Sequence, residues 1–226
     1  MLKWFEILLI FVLFIVFANI SYAQSDVQSW SSLRLTKPLN NGFELKIRPT
    51  SRFNMNLSNF SNVSVDLSLD YKPNNNWRFQ FLNRYFWLKN GVNRYFWFVE
   101  VEYKRPLTSW VGVSQTVRLH EAFDIEIADP DFLRSITHFN FPQVGKFKPF
   151  IGMDLFFRID NINQLQRSRF KLGGTWSISK QIKWNVQIWK QDLVNQTSKL
   201  TRWILVHSFN YRLKEKSSDV KDVSFY

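Results

Sequence analysis

Residues 147–178 alternate apolar and polar side chains with a period of two, and they do so twice. Ile151, Met153, Leu155, Phe157 and Ile159 share one parity. Gly152, Asp154, Arg158 and Asp160 share the other, with Phe156 the apolar intruder. After a polar connection at 161–166, Phe170, Leu172, Gly174, Trp176 and Ile178 alternate with Arg169, Lys171, Gly173, Thr175 and Ser177. Successive side chains of a strand point to opposite faces, so this pattern demands strands with one greasy, aromatic face and one charged face.

Most of the chain repeats the unit. Phe43, Leu45, Ile47, Pro49 and Phe53 oppose Glu44, Lys46, Arg48 and Arg52. Val63, Val65, Leu67, Leu69 and Tyr71 oppose Asn62, Ser64, Asp66, Ser68 and Asp70. Trp77, Phe79, Phe81, Tyr85 and Trp87 oppose Arg78, Gln80 and Arg84, and Tyr95, Trp97, Val99, Val101 and Tyr103 oppose Arg94, Glu100, Glu102 and Lys104. A short first strand is expected at 30–36, and Pro49 suggests an edge or a bulge. The total is about eleven strands, many of about ten residues or more, where soluble strands usually run about five or six. Tilted strands of about nine to eleven residues are what a bilayer span needs.

From the third strand on, connections starting at Lys72, Arg105, Pro142 and Ser179 are brief, and those starting at Leu88, Ala122, Asn161 and Gln191 are longer. Short turns on one side and longer loops on the other mark outer-membrane barrels. Tyr71, Trp77, Trp87, Tyr95, Tyr103, Trp203 and Tyr211 fall near strand ends, where interfacial aromatic girdles sit. The fold expected is all-β: an antiparallel transmembrane β-barrel of about ten to twelve strands in an up-and-down meander. Bacterial single-chain barrels have even strand counts, so the expected number is ten or twelve, with a strand split or merged near Pro49 or 122–131, or the tail paired.

Aromatic residues make up 18% of the chain and charged residues 21%, so apolar and polar side chains are interleaved rather than segregated. There is no Cys, which excludes disulfides and a thiol nucleophile. With only 3 His, a His-rich metal site is not expected, and neither metal nor cofactor is assigned. The net charge of +12 is carried by single residues scattered along strands, with no Lys/Arg block, so nucleic acid is not the expected partner.

Residues 1–23 read as a signal peptide: Lys3, an apolar run from Ile7 to Ala18, then Ser21-Tyr22-Ala23 as a small-residue cleavage site. The competing reading is an uncleaved anchor starting at Trp4. Cleavage removes Lys3 and Glu6 and leaves the charge unchanged. The barrel is then expected over 24–213 and a charged tail over 214–226. Export places the chain in the outer membrane of a Gram-negative bacterium. Outer-membrane lipids and lipopolysaccharide are the expected surroundings, the barrel-assembly machinery the partner during biogenesis, and the chain a monomer.

Parity alone does not say which face looks out. A periplasmic lipocalin-like barrel turns its greasy row inward around a ligand. A membrane barrel turns it toward lipid, because closure satisfies every backbone polar group. Strand length, strand number and aromatic placement favour the membrane.

Phe132-Leu133-Arg134, the run Lys148-Pro149-Phe150-Ile151-Gly152-Met153-Asp154-Leu155-Phe156-Phe157, then Arg169-Phe170-Lys171-Leu172-Gly173 and the closing Asn210-Tyr211-Arg212-Leu213 follow one another in order. Together they resemble a family of uncharacterised bacterial outer-membrane β-barrel proteins, a domain of unknown function common in Bacteroidetes. Trp30 and Arg52 fit its opening pattern. The resemblance spans nearly all of the mature chain; its motifs are loose and mostly reflect strand alternation. Asp154 stands where that family leads one to expect Glu, and the tail after Leu213 is extra. The resemblance implies fold and location and brings no activity or catalytic residue.

Lipid-modifying barrel enzymes use a lipid-facing His–Ser pair, in which the imidazole activates the hydroxyl. His207 and Ser208 are adjacent and so point to opposite faces. His120-Glu121 lacks the second His of a zinc motif, and His138 has Asn140 rather than Ser two residues on. No catalytic residue is assigned, and each His is read as a girdle or lumen residue. The charged row is the stronger constellation: Glu44, Lys46, Arg48, Arg52, Arg78, Arg84, Glu100, Glu102, Lys104, Arg118, Asp154, Arg158, Arg169, Lys171 and Arg202 are expected to face the lumen. Such a row makes either a basic, anion-preferring pore or a closed interior filled by Arg–carboxylate networks. Phe86, Phe96, Phe98, Trp110 and Trp189 share the inward parity, and their bulk favours a closed or narrow lumen. The function expected is structural, or a narrow passage for small solutes, without enzyme activity. The alternatives are a lipid-modifying barrel enzyme, which needs a His and a Ser side by side on the lipid face, and the periplasmic ligand-binding barrel.

Overall fold

The computed structural model describes residues 26–54, 56–89, 93–122, 131–159, 164–194 and 201–214. The signal peptide expected at 1–23, and the tail beyond Lys214, lie outside them. The described chain is built of strands: β1 (Asp26–Pro38), β2 (Phe43–Asn54), β3 (Asn59–Tyr71), β4 (Trp77–Leu88), β5 (Asn93–Pro106), β6 (Gly112–Ala122), β7 (Phe132–Asn140), β8 (Phe147–Arg158), β9 (Gln164–Ser177), β10 (Ile182–Leu193) and β11 (Thr201–Arg212). A 3₁₀ turn at Asn40–Gly42 joins the first two.

Each strand pairs antiparallel with the next, and β1 closes on β11 to complete the barrel. The closing pair is parallel, in register from Asp26↔Arg202 to Thr36↔Arg212. The strand count is therefore eleven, inside the range of about ten to twelve expected, but odd where an even number was expected. In a meander each strand reverses the last, so an odd number leaves the first and last running the same way, and they meet only in parallel. Nor is a strand split at Pro49. It sits inside β2 opposite Val65, and on the β1 side the ladder jumps from Ser32↔Thr50 to Leu35↔Ile47. The register is the same on both sides of that gap, so a residue without an N–H leaves a break in the ladder and does not end the strand. β1 also begins four residues before the expected Trp30, since Asp26–Ser29 carries too few apolar residues to display alternation.

The brief connections at 39–42, 72–76, 107–111, 141–146 and 178–181 gather on one rim, and the opposite strand ends form the other, loop-side rim. Asn41 (φ 58°) and Gly42 (φ 80°) make the first tight turn, and Lys72 N–H donates to the Gly42 carbonyl at 2.9 Å. Trp110, expected to point inward, is 61% exposed in the 107–111 turn, where Leu107 and Thr108 N–H both donate to the Val111 carbonyl. The period of two stops before it, because β6 begins at Gly112.

The apolar row faces outward. Along β3, Leu67 and Leu69 are 49% and 43% exposed while Ser64, Asp66 and Asp70 are buried on the interior face. A soluble ligand-binding barrel has the reverse arrangement. Tyr71, Trp77, Tyr103 and Tyr211 lie at the turn rim, and Trp87, Tyr95 and Trp203 at the loop rim. Neighbouring rings pair there: Phe43–Tyr71 and Trp77–Tyr103 at 4.7 Å, Tyr85–Trp87 at 4.6 Å. The interior also holds an apolar cluster of Leu82, Phe96 and Phe98, with Phe86 packed against it.

Candidate functional site

The barrel encloses a cavity of about 1050 Å³. Of the charged row expected from the sequence, Glu44, Lys46, Arg48, Arg52, Arg78, Arg84, Glu100, Glu102, Lys104, Arg118, Arg169 and Lys171 line it. Asp154 is fully buried in the wall, between Arg134 and Lys171. Arg158, the last residue of β8, and Arg202, whose Nε lies 3.8 Å from Asp26 Oδ2, sit at the loop rim and are not among the described lining residues. Arg34, Lys72, Arg94, Arg134, Lys148, Arg167, Lys180, Lys183 and Arg212 complete the basic lining and were not in the expected row. Arg34 and Arg134 lie on strands whose alternation is weak, Lys72 and Lys180 lie in turns, which have no parity to read, and Lys148 and Lys183 stand at the second position of their strands. The lining thus holds 18 Lys and Arg against 4 Asp and Glu.

Charge is compensated unevenly along the axis. Toward the turn rim, Lys46 Nζ reaches Asp70 at 2.5 Å and Glu44 at 3.2 Å, and Glu44 also takes Lys72 (2.9 Å) and Arg212 (2.6 Å). Arg78 bridges three carboxylates: Glu102 at 2.7 Å, Asp70 at 3.1 Å and Glu100 at 3.3 Å. In the middle, Asp66 accepts from Arg84 Nε at 2.5 Å and Nη2 at 2.8 Å, and from Arg48 Nε at 2.9 Å. Glu100 pairs with Arg118. Asp66 and Asp70 alternate correctly with the apolar residues of β3, so parity already marked them as inward. Toward the loop rim, aromatic rings take the place of carboxylates. The Arg52 guanidinium lies 4.2 Å from the Trp30 ring centroid, and that of Arg169 lies 4.7 Å from Phe156 and 5.1 Å from Trp189.

This barrel has a counterpart among solved structures. It shares the fold of NanC porin. The match has a TM-score of 0.52 at 13% identity, and covers 83% of this chain and 99% of that one. No protein-family model matches the sequence, and neither does any curated protein.

The histidines divide between the faces. His120 and His138 line the cavity, His120 against Phe96 (4.8 Å) and Phe98 (4.6 Å), His138 against Phe150 (5.1 Å). Among the described residues no three His, Asp or Glu side chains gather as a metal site. His207 shares its parity with the exposed Leu205 and Phe209, and Ser208 is buried on the other face, so that adjacent pair is split. The parallel seam, however, sets Ser31 opposite His207, and Ser31 Oγ lies 2.6 Å from His207 Nε2 on the outer surface. Sequence reasoning missed this pair because 176 residues separate its members and only barrel closure joins them.

Proposed function

We propose that this chain is an outer-membrane channel, a narrow passage that prefers small anions. The observation that carries the reading is the combination of an outward apolar belt with a cavity lining of 18 basic against 4 acidic side chains, or 6 with the buried Asp70 and Asp154 behind it. A lumen lined by one sign of charge concentrates solutes of the other sign. Eleven strands lie between the eight that side chains fill and the sixteen or more that leave a wide aqueous channel. The fold shared with a porin supports the same reading. On it the chain is exported by the 1–23 signal, placed by the barrel-assembly machinery among outer-membrane lipids and lipopolysaccharide of a Gram-negative cell, and acts as a monomer. The resemblance to the uncharacterised Bacteroidetes barrel family is compatible with this. The test is planar-bilayer conductance of refolded mature protein that displays a heat-shifted gel band. Steady steps whose reversal potential under a salt gradient favours chloride are expected. Silence from correctly folded protein refutes the channel.

The Ser31–His207 contact favours one second reading, a lipid-modifying enzyme, because a hydroxyl hydrogen-bonded to an imidazole is the nucleophile–base arrangement of acyl transfer. The pair lies among acyl-compatible residues such as Leu33, Leu205 and Phe209. Fatty-acid release from phospholipid vesicles, abolished by Ser31→Ala, is its test. Equal release by the wild type and the variant removes it.

A further inference from the structure

We infer that the loop-side half of the lumen holds a saturable binding site for a small multivalent oxyanion, a polycarboxylate or a phosphate, formed by Arg52, Arg167 and Arg169. The inference deepens the channel reading and rests on solutes reaching the lumen. These three residues come from two strands that the closed barrel brings to the same end, Arg52 near the end of β2 and the other two near the start of β9. Among the described residues none of the three has a carboxylate ion pair. The nearest acid by register, Asp154 opposite Arg169, is committed to Arg134 and to Lys171 Nζ at 2.6 Å.

The guanidinium groups are instead held by ring faces. Arg52 lies over Trp30 at 4.2 Å and Phe86 at 5.1 Å, and Arg167 over Phe156 at 5.2 Å. Arg169, 5% exposed, sits over Phe156, Trp189 and, at 5.3 Å, the same Trp30 ring that Arg52 covers. Its Nε donates to Gln191 Oε1 at 2.6 Å, which fixes the plane of the fork. A ring face satisfies a cation's charge only in part and takes none of its in-plane N–H donors. Accordingly Arg52 Nε and Arg167 Nε are buried without a hydrogen-bond partner among the described residues. Like charges gathered this closely repel one another, and a buried donor left unpaired costs free energy. An anion with several oxygens relieves both at once, because the planar guanidinium fork matches carboxylate and phosphate oxygens in pairs. On the turn side, by contrast, Glu44, Asp70 and Glu102 already occupy Lys46, Lys72, Arg78, Lys104 and Arg212.

The test is calorimetric titration of the folded, detergent-solubilised mature chain with inorganic phosphate and, separately, citrate, at constant ionic strength set with sodium chloride. Saturable binding of at least one is expected, weakened about tenfold or more by Arg52→Gln or Arg169→Gln. Arg169→Lys, which keeps the charge and loses the fork, is expected to weaken it too. Arg78→Gln, in the carboxylate-paired half, is expected to leave affinity within about twofold. Absence of saturable binding to either anion, or equal losses in the loop-side and turn-side variants, overturns the site. Gel heat-shift identifies folded variants, and the half-buried Arg52 provides a variant if Arg169 is needed for folding. Conductance without saturable binding leaves the channel and removes the site. Saturable binding by a chain that conducts nothing does the reverse.

Discussion

Asp66 anchors the middle of the lumen by itself, holding Arg48 and Arg84 through four N–H donors on one buried carboxylate. Removing one member of a buried ion pair costs more than the pair contributes, because the partner's charge is left uncompensated. Asp66→Asn is therefore expected to destabilise the barrel by about 3 kcal/mol, read as a lower urea midpoint for unfolding in lipid vesicles. Gly42 is the other residue with little latitude. Its φ of 80° suits glycine, and a Cβ there would sit 2.5 Å from the backbone carbonyl oxygen of Lys72. Gly42→Ala is expected to cost about 1–2 kcal/mol by the same measurement, because the obstacle is backbone and cannot rotate away.

Two faces of one strand carry opposite requirements. Leu67, outward in the middle of β3, and Ser68, inward beside it, differ by one position. Leu67→Arg is expected to destabilise by about 2–4 kcal/mol in a bilayer, and Ser68→Arg by much less, since it meets the polar lumen. Equal costs in vesicle-folding equilibria would contradict the assignment of the faces. The seam between β1 and β11 makes its own prediction. Ser32 and Ser208 are register partners, and the chain has no Cys. The double change Ser32→Cys with Ser208→Cys is expected to form an intrachain disulfide on oxidation, visible as a gel-mobility shift. Ser32→Cys with Arg212→Cys, displaced four residues along β11, is expected not to.

Across the whole molecule, the carboxylates Glu44, Asp70 and Glu102 gather toward the turn rim, and ring-stacked arginines toward the loop rim. A charge profile that is asymmetric along a pore makes current depend on the direction of the field. Oriented single insertions are expected to rectify, and Arg52→Gln is expected to flatten the current–voltage curve. The same asymmetry explains why total charge is a poor guide to the lumen. The net +12 counts every charged residue of the chain and says nothing of where along the axis the carboxylates lie.

Period-two alternation, long strands and turn chemistry are local properties, so the sequence alone determined the all-β barrel, which residues share a face, and about half of the charged lining. Alternation also marked Asp66 and Asp70 as inward, although the expected charged row left them out. What remained depends on contacts between distant segments. That the greasy face looks outward, that Trp110 leaves its strand for a turn, and that eleven strands close through a parallel pair are decided by closure. So are the Ser31–His207 contact and the convergence of Arg52 with Arg167 and Arg169. A period of two assigns each side chain to one of two faces. It carries no information about which strand will lie beside the first, and only the closed tertiary structure supplies that neighbour.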